Sequence, residues 1–174
     1  MHTFLNKLRI FSRQHLTRVS VSGGFMMIEI LVAVSIIAVF VLAAMNVAQK
    51  SIVVARQSLH TSQAKFLLEE GAEAARIVRD NAWANISALV VGTNYYPTYT
   101  GGTWTLSATS NTVGVFTRKV VLANVNRDDT SKDIVASGGT LDDGIKLVTV
   151  TVSWLEGSTT VSKTLQFYLA DIFS

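Results

Sequence analysis

The chain has 174 residues, no cysteine and a formal net charge of +3. That length leaves room for one globular domain beside a membrane helix, and the absence of cysteine excludes a disulfide framework and a thiolate metal centre. The positive charge is not a nucleic-acid signature: Lys7, Arg9, Arg13 and Arg18 put +4 into residues 1–24, and the remaining 11 basic and 12 acidic residues leave the rest of the chain near −1. General nucleic-acid binding is therefore not expected.

Residues 1–24 are basic, hold no acid and lie directly before a hydrophobic run, so they read as a targeting leader. The run, residues 25–48, contains one charge, Glu29, and the twenty residues from Ile30 to Gln49 contain none. At 1.5 Å of rise per residue those twenty span about 30 Å, the thickness of a bilayer's hydrocarbon core. The positive-inside rule keeps the leader on the cytoplasmic side and sends the C-terminal part across, N-in and C-out. A secretory signal would be cut after its apolar region; the small residues at Ala43 and Ala44 offer only a weak site inside a run too long for that role. An ionisable group in such a run costs roughly 2.5–3.5 kcal/mol at mid-bilayer, so Glu29 calls for a partner.

The stretch GGFMMIEILVAVSIIAVFVLAAM, residues 23–45, resembles the N-terminal processing segment of type IV pilins and of the pseudopilins of type II secretion. Three features carry the resemblance: glycine before the run, phenylalanine opening it, and a single acid within its first turns. It implies removal of the leader by a prepilin peptidase after Gly24, N-methylation of Phe25, and a role for Glu29 in assembly. The implied partners are other pilin subunits in a homo- or hetero-filament, the peptidase, a membrane assembly platform and membrane lipid. The implied location is a single-pass membrane protein before assembly and a cell-surface or periplasmic filament afterwards. The chain departs from many pilins in lacking a C-terminal disulfide, and it has Ala38 and Asn46 near the places where major pilins carry helix breakers. These departures lean toward a minor pilin or a pseudopilin.

Residues 46–80 contain no proline and one glycine, Gly71, and their apolar residues recur at helical spacing. Ile52, Leu59 and Phe66 fall seven apart, and Leu67, Gly71, Ala74 and Val78 continue in steps of three and four, which predicts a packing face. Glu69, Glu73, Arg76 and Asp80 form a solvated side, with Glu73–Arg76 and Arg76–Asp80 spaced to pair. One helix from Phe25 to about Asp80 is expected, half in the membrane and half laid on a domain, the lollipop shape that the resemblance implies.

Residues 81–91 read as a second short helix ended by Gly92, and residues 93–102, with Tyr95, Tyr96, Pro97 and Tyr99, as a loop whose tyrosines either offer a contact surface to a partner subunit or ligand or, more commonly in such loops, pack over a sheet edge. Asn85-Ile86-Ser87 matches a glycosylation sequon, a pattern short enough to arise by chance. Residues 103–108 and 114–125 are strand candidates, the second with Phe116, Val120 and Leu122 on one side. Residues 127–144 read as a long polar loop. Its Asp128, Asp129, Asp133, Asp142 and Asp143 offer oxygen ligands of the kind calcium prefers, but their spacing is not that of an EF-hand, and solvated turn residues are the better reading.

The clearest hairpin joins residues 146–155 to 160–170. Val148, Val150, Val152 and Trp154 alternate with polar residues, Glu156-Gly157-Ser158 turns, and Val161, Leu165, Phe167 and Leu169 alternate in reply. The fold class expected is α+β, a long N-terminal helix packed on an antiparallel sheet of about four strands. The organisation expected is leader 1–24, membrane and assembly helix 25–50, and globular domain 51–174.

Catalytic machinery is sparse. His2 and His15 lie in the leader, leaving His60, read here as a surface residue; no Gly-rich phosphate loop is present, and no enzyme activity, metal or cofactor is expected. Two functional classes remain: a subunit of a type IV pilus-like or pseudopilus filament, and a single-pass anchored binding or sensor domain that never polymerises. Cleavage separates them. A cut between Gly24 and Phe25 leaves a mature chain of 150 residues. N-terminal sequencing or intact-mass measurement of protein from the native host checks this; a mass that retains residues 1–24, or a cut near Ala43, contradicts it.

Overall fold

The computed structural model describes residues 23–172. The chain divides into two compact units, Met1–Lys50 and Ser51–Ser174. A single helix, α1 (Gly23–Asn81, 59 residues), runs through both, as expected for a stretch without proline. Within the first unit each residue from Phe25 to Lys50 is exposed, and this apolar part of α1 is long enough to cross a membrane. A lone helix with a continuous apolar surface has no partner in water and is at home in lipid.

In the second unit α1 is followed by one further helical turn, α2 (Ala84–Ser87), shorter than the segment expected over 81–91. Seven strands follow: β1 (Tyr96–Thr100), β2 (Thr103–Ser107), β3 (Thr112–Val113), β4 (Phe116–Arg127), β5 (Ile134–Val135), β6 (Thr140–Glu156) and β7 (Thr159–Ala170). One antiparallel sheet has the order β3-β4-β6-β7, with β5 paired to the far end of β4; β1 and β2 make a separate hairpin. The α+β architecture, a long helix on an antiparallel sheet, is thus what the sequence implied.

Strand alternation sets the core. Phe116, Val120 and Leu122 of β4 and Val148, Val150, Val152 and Trp154 of β6 are all buried. Their register pairs Val120 with Val150 and Leu122 with Val148, so both strands present one apolar face. Against that face α1 lays Ala64, Leu68, Gly71, Ala72, Ala75 and Val78. These residues are mostly small, and the helix comes close: a Cβ on Gly71 would stand 2.8 Å from Val150 Cγ1 and 3.1 Å from Arg118 Cδ. The hairpin from β6 to β7 turns through Gly157-Ser158, with Gly157 at φ +64°, a conformation that matches the strand twist and favours glycine.

Several local expectations need correction. Ile52, Leu59 and Phe66 do not face the sheet; all three are exposed, and the buried side of the helix lies nearly opposite. Residues 96–100, read as loop, form β1, because Gly101 and Gly102 both take positive φ and close a two-residue hairpin onto β2. Pro97 is tolerated there because the hairpin's ladder is only two strands wide. The loop expected over 127–144 is shorter, since β4 and β6 keep pairing out to Arg127–Thr140 beyond an irregularity at Asn124/Val125. On β7 the expected face is only partly covered: Leu169 is buried, Val161 and Phe167 are half-buried, and Leu165 is exposed, as befits an edge strand with no further neighbour. Asp80 pairs with Arg79 (2.7 Å), not with Arg76; Arg76 pairs with Glu73 (3.2 Å) as its spacing implied and stacks over the Phe167 ring.

A fragment beginning at Ser51 is expected to fold without the membrane half and to give a mixed helix and sheet signal by circular dichroism. In that fragment Trp154→Ala should cost about 3–5 kcal/mol in urea unfolding, the range for deleting a buried ring. Gly71→Leu, which forces the helix off the sheet, should be destabilising as well.

Candidate functional site

The residues singled out by the N-terminal resemblance lie at the head of α1. Gly24 is the second residue of the helix, Phe25 is 78% exposed, and Glu29 is exposed one helical turn further on. Among the described residues Glu29 has no ion-pair partner, and none of the surrounding side chains from Phe25 to Leu31 is covered. The Glu29 carboxylate thus stands on an uncovered apolar helix end.

The globular unit gathers a second set of groups that the sequence did not single out together. His60 on α1 is largely buried, with a side chain 18% exposed, and its Nδ1 lies 2.7 Å from Glu156 Oε1 at the end of β6. The same carboxylate oxygen accepts the Trp154 Nε1–H at 2.8 Å. The imidazole stands edge-on to Phe116 and Trp154, at ring separations of 5.8 and 6.5 Å. His60 is therefore a packed residue tying helix to sheet, which corrects its reading as a surface residue; its partner is 96 positions away, beyond the reach of spacing arguments. Glu156 has its pKa lowered, first by the Trp154 hydrogen bond and then by that of His60.

Arg118 was also missed. It points inward from β4 and is 2% exposed, in phase with Phe116, Val120 and Leu122; that phase was the available signal. Its Nη1 lies 2.7 Å from Glu70 Oε2, its Nη2 donates to the Pro97 carbonyl at 3.4 Å, and its guanidinium stacks over Trp104 at 5.4 Å. The contact to Glu70 is an ion pair off the ideal hydrogen-bond line, and Nε has no partner among the described residues. One buried cation thereby joins α1, β1, β2 and β4.

Three of the five loop aspartates, Asp128, Asp129 and Asp142, bond to groups of the loop and its flanking strands. Asp128 Oδ1 accepts the backbone N–H groups of Thr130 and Ser131, both at 2.8 Å, and its pKa is lowered by them, Ser131 first. Asp129 accepts the Thr140 hydroxyl, and Asp142 binds Arg127 Nε at 2.6 Å, which holds its carboxyl below the usual range. Among the described residues no three His, Cys, Asp or Glu side chains gather in a metal-binding cluster. Asn85 directs its amide back to the Val78 carbonyl, at 3.4 Å. Tyr95 is buried and its hydroxyl accepts the Val90 N–H at 2.9 Å, while Tyr99 is exposed and lies beside Trp104.

No protein-family model, no curated protein and no solved structure matches the chain.

The carboxylates predict the acid behaviour of the domain. A carboxyl whose folded pKa is depressed adds stability above its unfolded value, near 4.5 for Glu156, and that contribution is lost as pH falls through the folded value. Urea unfolding of the fragment from Ser51 should therefore show falling stability between about pH 5 and pH 3. Glu156→Gln, which removes one such group, should shrink that drop.

Proposed function

We propose that this chain is a structural subunit of a type IV pilus-like or pseudopilus filament. The observation that carries the reading is the coincidence of Gly24, Phe25 and Glu29 at the head of one uninterrupted helix whose residues from Phe25 to Lys50 are all exposed. In this reading the precursor is inserted N-in and C-out, prepilin peptidase removes residues 1–24, and an assembly platform passes the mature chain into a homo- or hetero-filament. The apolar helices pack together, and the sheet domains form the outer wall.

Elementary electrostatics assigns Glu29 its part. Cleavage before Phe25 creates an α-amine at a helix end whose first N–H groups are already unpaired, so two features there attract a carboxylate. Glu29 lies four residues on, about 6 Å along the axis. Among staggered helices its natural partner is the amine of a neighbouring Phe25. An unpaired carboxylate in apolar surroundings is costly and a paired one much less so, and this difference rewards docking at one axial register.

Glu29→Gln keeps the size and removes the charge. It is expected to leave membrane insertion and the cut after Gly24 intact while sharply lowering incorporation into filaments, as read by shearing and immunoblotting. Incorporation at the unmutated level would remove the charge-pair account. A chain that is inserted, uncleaved and absent from filaments would instead point to a single-pass anchored binding or sensor domain.

A further inference from the structure

The water-side part of α1 carries an apolar stripe that the sheet leaves bare. Ile52, Leu59 and Phe66 are 70%, 56% and 70% exposed. At about 100° per residue their seven-residue spacing keeps them nearly in line, and with Ala55 and Ser62 they form a seam pointing away from the side that holds Ala64, Leu68, Gly71 and Ala75. A groove of about 580 Å³ borders the stripe, between Leu59, His60 and Phe66 of the helix and Val113, Val115 and Phe116 of the β3–β4 turn, so the apolar surface continues onto the sheet. Exposed apolar surface of this extent in an aqueous domain marks an interaction site.

We propose that this seam is the contact for a second copy of the same chain, packed parallel and in register. A period of seven is what two packed helices share, with large residues at one set of seam positions and, here, small ones, Ala55 and Ser62, at the other, letting the helices approach. Charge decides the register. Lys65 and Glu70 flank the seam five residues apart, the spacing at which a parallel in-register pair sets Lys65 of each copy against Glu70 of the other. Glu70 stays 45% exposed while one of its oxygens holds Arg118. The seam ends where Glu69 and Glu73 take over its positions and would face their own copies as like charges, which confines the contact to residues 52–66. The parallel sense follows from anchoring both copies by the same helix in one membrane. The contact is isologous and requires neither cleavage at Gly24 nor a filament.

The chain contains no cysteine, so a single introduced thiol reports one position. The full chain, expressed alone in the membranes of a heterologous host, is oxidised as Ala55→Cys, as Ser62→Cys, and as Val54→Cys, a position 59% exposed and off the seam. Disulfide-linked homodimers are expected at 55 and 62 and not at 54, and adding Phe66→Glu or Lys65→Glu to Ala55→Cys should lower the linked yield severalfold. Equal linkage at 54 and 55 would mean random collision and overturn the proposal. Linkage found only between mixed Ala55→Cys and Ser62→Cys chains would overturn the register, and no linkage would overturn the contact. Processing and filament incorporation are read separately in the native host: dimers without filaments would count against the filament reading alone, and filaments without dimers against this contact alone.

Discussion

The globular unit depends on how closely α1 approaches the valine face of β6. Ala64, Gly71, Ala72 and Ala75 give the helix a nearly smooth side, and at Gly71 there is no room for even one methyl group before Val150. A close approach raises the number of favourable atomic contacts and expels water from both faces, and it also makes the joint intolerant of added volume. Everything else in the unit is arranged around that joint: β4 and β7 flank β6, Trp154 and Phe116 close one end, and Arg118 sits beside the glycine.

Two polar ties cross the same joint. The ion pair of Arg118 with Glu70, together with its contacts to Pro97 and Trp104, connects the helix to the β1–β2 hairpin, which also leans on the core through Trp104 and Leu106 and adjoins the Tyr95–Val120 bridge. The His60–Glu156–Trp154 group does the same at the other end, where β6 turns into β7. Buried polar groups of this kind add little net stability when satisfied but cost heavily when broken. They therefore fix where along the helix the sheet sits, a register that small apolar side chains alone would specify poorly.

A helix used so economically on one side is left with an unused surface on the other. Only the smooth side of α1 meets the sheet, so the large residues Ile52, Leu59 and Phe66 remain outside, as do the side chains from Phe25 to Lys50. In the first unit such a surface suits lipid, whereas in the second unit Arg56, Lys65 and Glu69 interleave with the apolar residues.

Much of this protein was determined by local sequence. The continuity of α1 follows from the absence of proline, the membrane-crossing length from the uncharged run 30–49, and the β6–β7 hairpin from strict alternation about Gly157. These depend on neighbours along the chain, which periodicity and turn chemistry report directly. The packing face over Gly71, Ala74 and Val78 was also legible in the spacing, but over residues 52–66 tertiary structure alone decided which side of α1 is buried, because both sides there carry apolar residues and only the sheet's close approach selects Ala64 over Ile52, Leu59 and Phe66. It alone brought His60 to Glu156 and Arg118 to Glu70, partners 96 and 48 residues apart, since such pairings arise from the folding of the helix onto the sheet and leave no trace in spacing.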